Sequence, residues 1–261
     1  MARALWSGAL SFGLVNVPVA MLPAVRDLDL HFRQLHEKDG APIETHRVCV
    51  KEGKEVPWEE IAHGYEVSDG KWVLLTDDEL AAAQPRKTKT IDIEQFVALE
   101  EIDPMLFDHP YLLAPTGGEG STRAYRLLEA VLEDTDQVAL GRVVLRTREY
   151  LVAVRPRDSL LTLTTMLFAD ELRPAKDVAA TIKGKKPDPK QVRNAVALIE
   201  ELGVSFSPDS YRDEHRERLK KIVARKRKGK EIEVPDEPDT TPTGAPDLMA
   251  ALERSLAEVR G

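Results

Sequence analysis

Residues able to do chemistry are plentiful in this 261-residue chain, but their spacing does not assemble a catalytic signature. Six histidines, His31, His36, His46, His63, His109 and His215, are dispersed. His46-x-x-Cys49 has metal-ligand spacing, yet zinc usually takes four such ligands and no second pair stands nearby, so no metal and no cofactor is expected. Thr116-Gly117-Gly118-Glu119-Gly120 is a flexible turn without the lysine of a phosphate-binding loop. Asp77-Asp78-Glu79 follows the strand-like Lys71–Thr76 run and reads as the cap of a short helix, not as a catalytic pair. The sequence contains no GxGxxG, GxSxG or HExxH. A non-enzyme is the expectation, and the chemistry left to explain is charge.

The formal net charge is −8, from 37 Lys and Arg against 45 Asp and Glu. Residues 212–230 reverse this locally, with ten cations against Asp213, Glu214 and Glu217, while 231–261 carry eight acids against Arg254 and Arg260. An acidic protein with a basic island permits local contact with nucleic acid while the remaining surface repels phosphate.

The elements that must hold such a surface follow from periodicity. A chain of this length buries about 70 to 75% of its unfolded surface and needs no disulfide or metal for a core. The single cysteine, Cys49, forbids an intrachain disulfide and favours an intracellular location. Ala4–Val25 carries no charge, but Trp6, Ser7, Gly8, Ser11, Gly13, Asn16 and Pro18 interrupt it, so buried strands are expected rather than a signal peptide or membrane span, with the break at Asn16–Pro18. Further strands are expected at Lys71–Thr76, Ile91–Leu99 and Tyr111–Ala114. A helix capped by Ser121 or Thr122 should present Ala124, Leu127, Leu128, Val131 and Leu132 to the sheet. Val138–Leu145, Tyr150–Val154 and Leu160–Leu167, joined by short breaks, predict an antiparallel meander. If the first of these strands continues, Arg142, Arg146 and Arg148 share one face.

Beyond Asp170 the chain turns helical. Asp188-Pro189 opens a helix with a Val192, Ala195, Val196 and Ile199 stripe that Gly203 ends, and Ser207-Pro208 opens a second that carries the basic island. Prolines 235, 238, 242 and 246, with acids and threonines between them, mark 231–246 as a flexible linker. A last amphipathic helix is expected over 247–261, capped by Asp247 and carrying Leu248, Ala251, Leu252, Leu256 and Val259.

The run from Arg3 to Val19, RALWSGALSFGLVNVPV, resembles the N-terminal signature of the prokaryotic Ku proteins. So, in order, do His31-Phe32 to His36, Gly64-Tyr65-Glu66, Leu75–Leu80, Ile91-Asp92-Ile93, Glu101–Pro104, Phe107-Asp108, Tyr111-Leu112 and Phe168–Arg173. The resemblance implies an α+β chain: a mainly antiparallel β-barrel core with an extended DNA-bridging arm (1–187), a small helical C-terminal region with the basic cluster (188–230), the linker (231–246) and the terminal helix (247–261). It implies a homodimeric ring that threads onto double-stranded DNA ends, protects them without regard to sequence, and recruits a multifunctional ATP-dependent DNA ligase for non-homologous end joining. A cytoplasmic, nucleoid-associated location with no membrane partner goes with that.

On this reading the phosphate contacts are Arg47, Lys51, Lys54, Arg86, Lys87 and Lys89 on the arm, Arg142, Arg146 and Arg148 on the meander, and Lys183, Lys185 and Lys186 on a loop. Leu248, Leu252, Leu256 and Val259 are the ligase-docking candidates. The chain departs from some relatives in having Glu52 where a CxxC pair would place its second cysteine, which puts a shared metal or redox role in doubt, and in lacking a long Lys-rich tail. The competing classes are a DNA-end-processing lyase or nuclease, and a dimeric scaffold whose basic patch binds RNA or protein.

Overall fold

The computed structural model describes residues 3–86, 88–184 and 187–230, with the backbone alone at Asn194, Leu198, Glu201 and Leu202. Lys87, Lys185, Lys186, the 231–246 linker and the 247–261 helix with Leu248, Leu252, Leu256 and Val259 lie outside the described residues. The chain divides into two compact units, Met1–Leu28 with Arg33–Pro174, and Asp29–Phe32 with the segment from Ala175 onward.

In the first unit, Trp6–Phe12 (β1) and Val15–Pro23 (β2) form a hairpin. Its turn rests on Gly13, whose φ of +58° glycine adopts without steric cost. The break expected at Asn16–Pro18 therefore falls earlier, and those residues lie inside β2. Pro18 is tolerated there because pairing of β2 with its other neighbour begins only at Val19.

A long excursion follows, in which no described residue from Arg33 to Lys89 is buried. It contains the hairpin His63–Ser68 (β3) and Lys71–Leu75 (β4), of which only β4 was legible, and the helix Asp77–Ala82 (α1). A reciprocal capping box opens α1: the Glu79 amide donates to Thr76 Oγ1, and the Thr76 amide donates to Glu79 at 2.8 Å.

Thr90–Ala98 (β5), Phe107–Pro115 (β6), Gln137–Leu145 (β7), Arg148–Arg157 (β8) and Leu160–Met166 (β9) complete a closed barrel in the order β1-β2-β6-β9-β8-β7-β5. The barrel is mixed, not wholly antiparallel, because β5 closes it on β1 in parallel through Ala9 with Thr90 and Leu10 with Ile91. The expected meander is β7-β8-β9. Inward residues alternate with outward ones and fill the interior with Leu10, Val17, Val19, Met21, Ile91, Leu113, Val143, Val152, Val154, Leu161 and Leu163. On the outer face Ile102, Val138, Ala153 and Met166 form a second cluster.

Glu119–Thr135 (α2) is capped at Gly118, three or four residues before the expected cap, and packs against β2, β6, β7 and β8. It thus lies across one barrel end. Its buried face is Tyr125, Leu128, Glu129 and Leu132; Leu127 and Val131, expected to pack, are exposed. Tyr125 takes their place because its hydroxyl donates to the Leu113 carbonyl and accepts from the Leu161 amide, both at 2.6 Å. Leu113 and Leu161 are the last pair of the β6-β9 ladder, so the hydroxyl bridges the strands where they part.

The second unit contains Ala175–Ala179 (α3), Pro189–Leu202 (α4) and Glu214–Arg227 (α5). Asp188 caps α4 with Pro189 at the first position, as expected, and Gly203 ends it. Ser207-Pro208 opens only a 3₁₀ turn; the basic helix α5 begins six residues later, where Asp213 accepts from the Arg216 amide at 2.9 Å. Among the described residues no helix is long and apolar enough to cross a membrane.

Candidate nucleic-acid interface

The first cationic group is built by a tight loop of the excursion. Val48 bridges Glu55, the Cys49 amide donates to the Lys54 carbonyl at 2.9 Å, the Val56 amide donates to the Arg47 carbonyl at 2.8 Å, and Gly53 turns the chain at φ +66°. These bonds hold Arg47, Lys51 and Lys54 in one small hairpin. The Arg47 guanidinium stacks on the Trp58 ring at 4.5 Å, which fixes it without neutralising it. His46 Nδ1 lies 2.7 Å from Glu55, so the imidazole of the His46-x-x-Cys49 pattern is held by a carboxylate.

The second group is divided. Arg86 and Arg142 border one shallow depression with Asp92 and Glu149. Arg142, on the outer face, is held by Glu94 at 3.1 Å and Glu149 at 2.9 Å, and these carboxylates raise its pKa further. Lys89 has a left-handed φ of +51°, and its carbonyl accepts from the Ala9 amide.

The expected common face for Arg142, Arg146 and Arg148 does not form. The strand ends at Leu145, Arg146 and Thr147 are the turn, and Arg148 opposes Leu145, a residue packed against the interior cluster. Arg148 is thus of inward parity, over Tyr150 at 5.4 Å and paired with Glu171 at 2.6 Å. The Phe168 amide, and after it the Arg148 guanidinium, hold the Glu171 carboxyl below the usual range. Arg146 has no carboxylate partner among the described residues and stands at the barrel mouth opposite α2. Lys183 belongs to the second unit.

A further cationic surface escaped the sequence reading, which treated Arg155–Ser159 as a break. Strand β8 runs on to Arg157, and the turn is Asp158-Ser159, both left-handed. Arg155 and Arg157 continue the outward alternation of Leu151 and Ala153, and together with Thr162 and Thr164 they line an outer groove of about 450 Å³. Arg155 has no ion pair among the described residues, and its buried Nε has no hydrogen-bond partner. A row of guanidinium and hydroxyl groups on a sheet face suits backbone phosphate and reads no base.

The excursion also leaves large apolar side chains uncovered. Trp58, Tyr65, Trp72 and Leu74 are each at least 60% exposed. Tyr65 opposes Val73 while Trp72 opposes Glu66, so both faces of the β3-β4 hairpin present apolar groups. A two-stranded hairpin is marginal alone and needs a cover.

Comparison with known proteins agrees with this architecture. The family model for the Ku70/Ku80 beta-barrel domain matches residues 11–194. The "Non-homologous end joining protein Ku" of Anaeromyxobacter sp. (strain K) is 43% identical over 263 residues, covering 100% of this chain and 87% of the relative. "Non-homologous end joining protein Ku 1" of Geotalea uraniireducens (strain Rf4) is 36% identical, covering 99% and 98%. The protein of that same name, without the numeral, in Bacillus subtilis (strain 168) is 34% identical, covering 98% and 82%.

Proposed function

Because the chain belongs to the Ku family, we propose that it binds and protects double-stranded DNA ends in non-homologous end joining, as a homodimeric ring with no chemical step of its own. The observation that carries this is the pairing, within the barrel unit, of unopposed cations with an uncovered apolar excursion. Arg47, Lys51, Lys54, Arg155 and Arg157 supply phosphate contacts that ignore sequence. The apolar residues of β3 and β4 are best covered by a second copy, since an isologous dimer buries the same patch twice. A ring closed by that contact takes its specificity for ends from topology.

Lys87, Lys89, Lys183, Lys185, Lys186 and Arg86 add to the phosphate contacts in this reading. Arg142, Arg148 and, at 3.4 Å from Asp158, Arg157 contribute less, because carboxylates already oppose them. Residues 247–261 dock the multifunctional ATP-dependent DNA ligase through Leu248, Leu252, Leu256 and Val259, and the protein works at the nucleoid in the cytoplasm.

Removing residues 240–261 tests both halves at once. The shortened chain is expected to bind open-ended duplex as the full chain does, in preference to the same duplex with hairpin-sealed ends, while losing most of its stimulation of the ligase. Loss of end binding on truncation would contradict the docking role, and equal affinity of the full chain for sealed and open duplex would contradict end recognition.

A further inference from the structure

The barrel mouth opposite α2 is open and holds a cavity of about 400 Å³, walled by Trp6, His109, Tyr111, Tyr150 and Arg146. Local backbone devices place these walls. Gly8 leaves room for the Trp6 indole, with which a Cβ at that position would collide. The register of β6 slips between Phe107 and Pro110, a bulge that re-aims Asp108 and His109. Thr165 pins the bulge: its hydroxyl accepts from the His109 amide at 3.0 Å and lies 3.1 Å from Asp108 Oδ2. Arg146 occupies the two-residue β7-β8 turn at φ +58°, a conformation a non-glycine residue rarely adopts. A close-approach glycine, a register slip and a left-handed turn thus converge on one mouth.

The carboxylate on the cavity wall, Asp108, is engaged by the Thr165 hydroxyl at 3.1 Å. Among the described residues the Arg146 guanidinium and the Tyr111 and Tyr150 hydroxyls have no hydrogen-bond partner in the protein and so offer donors to a guest. Burial first, then the neighbouring Tyr150, holds the Tyr111 phenol above its usual pKa, which keeps it a donor at neutral pH. The aromatic rings do not stack on one another; His109 and Tyr111 meet at 5.1 Å and 59°. Arg148 lies over Tyr150 at 5.4 Å, which leaves the opposite face of that ring, with Trp6 and Tyr111, for a flat guest. The occupant that fits is part planar and part anionic, and a cavity of this volume is of ligand size, far too small for a duplex. A peptide strand is disfavoured, because the closed barrel has no unpaired edge to extend.

We propose that this mouth is a single-nucleotide pocket, which takes an unpaired nucleotide of a DNA overhang with its base among Trp6, Tyr111 and Tyr150 and its phosphate on Arg146. This rests on the DNA-end reading above and assigns a discrete site for what lies beyond the paired end. Base stacking on aromatic faces tolerates every base, as a repair factor requires.

The test is titration of the full chain with deoxyadenosine 5′-monophosphate, followed by tryptophan fluorescence. Saturable quenching is expected, with deoxyadenosine and inorganic phosphate each binding about tenfold or more weakly, the loss that goes with one charged hydrogen bond. Trp6→Phe should remove the quenching. Arg146→Gly should weaken the nucleotide about tenfold with no fall in melting temperature, since glycine takes φ +58° freely. Quenching that persists in Trp6→Phe, an equal response to inorganic phosphate, or no saturation at millimolar nucleotide overturns the pocket. Binding of the unsubstituted chain to blunt duplex is measured in parallel; its failure would remove the end-binding reading and leave the nucleotide result to be judged by itself.

Discussion

Raising the salt from 50 to 200 mM is expected to weaken the affinity of this protein for a linear duplex by about 10³- to 10⁵-fold, the range that goes with six to ten neutralised phosphates. Two copies of Arg47, Lys51, Lys54 and Arg155, none of which has a carboxylate partner among the described side chains, are enough cations to reach that range; Arg157 is shared with Asp158 at 3.4 Å. The sensitivity should be unequal along the chain. Arg155→Ala removes a cation that no carboxylate opposes and should flatten the log–log salt slope by about 0.9 per copy. Arg142→Ala removes one already shared between Glu94 and Glu149, and should flatten it by less. Fluorescence anisotropy of a labelled duplex over a salt series gives all three slopes. A slope shallower than about −3, meaning some three phosphates, would contradict a phosphate-lined ring, and an Arg142→Ala effect larger than that of Arg155→Ala would contradict the assignment of faces.

The second large effect is on stability. Gly141→Ala is expected to cost about 3 kcal/mol, the upper end of ordinary overpacking, because a Cβ at Gly141 collides with the backbone carbonyl of Asp92 on the neighbouring strand. Neither strand yields easily. Ile93 opposes Gly141 next to a register shift in β5, and Val143, two residues on, is fully within the core. The close approach is what lets β5 bend from β7 toward its parallel pairing with β1. A loss of that size lowers the melting temperature by roughly 6 to 12 °C for a unit of 150–250 residues, measurable by circular dichroism or calorimetry. Gly118→Ala is the comparison: a Cβ there meets nothing within 4 Å, and a fall of similar size would show that the Gly141 effect is not steric.

Local patterning carried much of the architecture. The meander was legible because Val138–Leu145 and Leu160–Leu167 are rich in β-branched and apolar residues and are joined by short breaks, and α4 because Asp188, Pro189 and Gly203 punctuate it. What could not be read depends on groups distant in sequence. Closure of the barrel pairs Leu10 with Ile91, and nothing near either residue announces it. The face of α2 turned on one tyrosine hydroxyl reaching two strands, so Leu127 and Val131, apolar and correctly spaced, point outward.

The site was harder for the same reason. Arg146 and Arg148 continue the parity of Arg142 along the sequence, but a left-handed turn at Arg146 resets it. Arg155 and Arg157 were hidden by Pro156, which reads as a break. In the barrel Pro156 pairs only with Leu161, beyond the last residue of β8 that faces β7, so its missing N–H costs no ladder bond. The alternation of Leu151, Ala153, Arg155 and Arg157 was the signal available.

The most direct test of the central claim compares one plasmid, closed-circular and linearised, at fixed moderate salt, with the linear ends ligated shut after the protein has loaded. The threaded dimeric ring predicts binding to the linear form alone and protein that stays trapped on the recircularised DNA. Equal binding to both forms, or free release after closure, would mean a basic patch resting on the duplex surface and would contradict the ring.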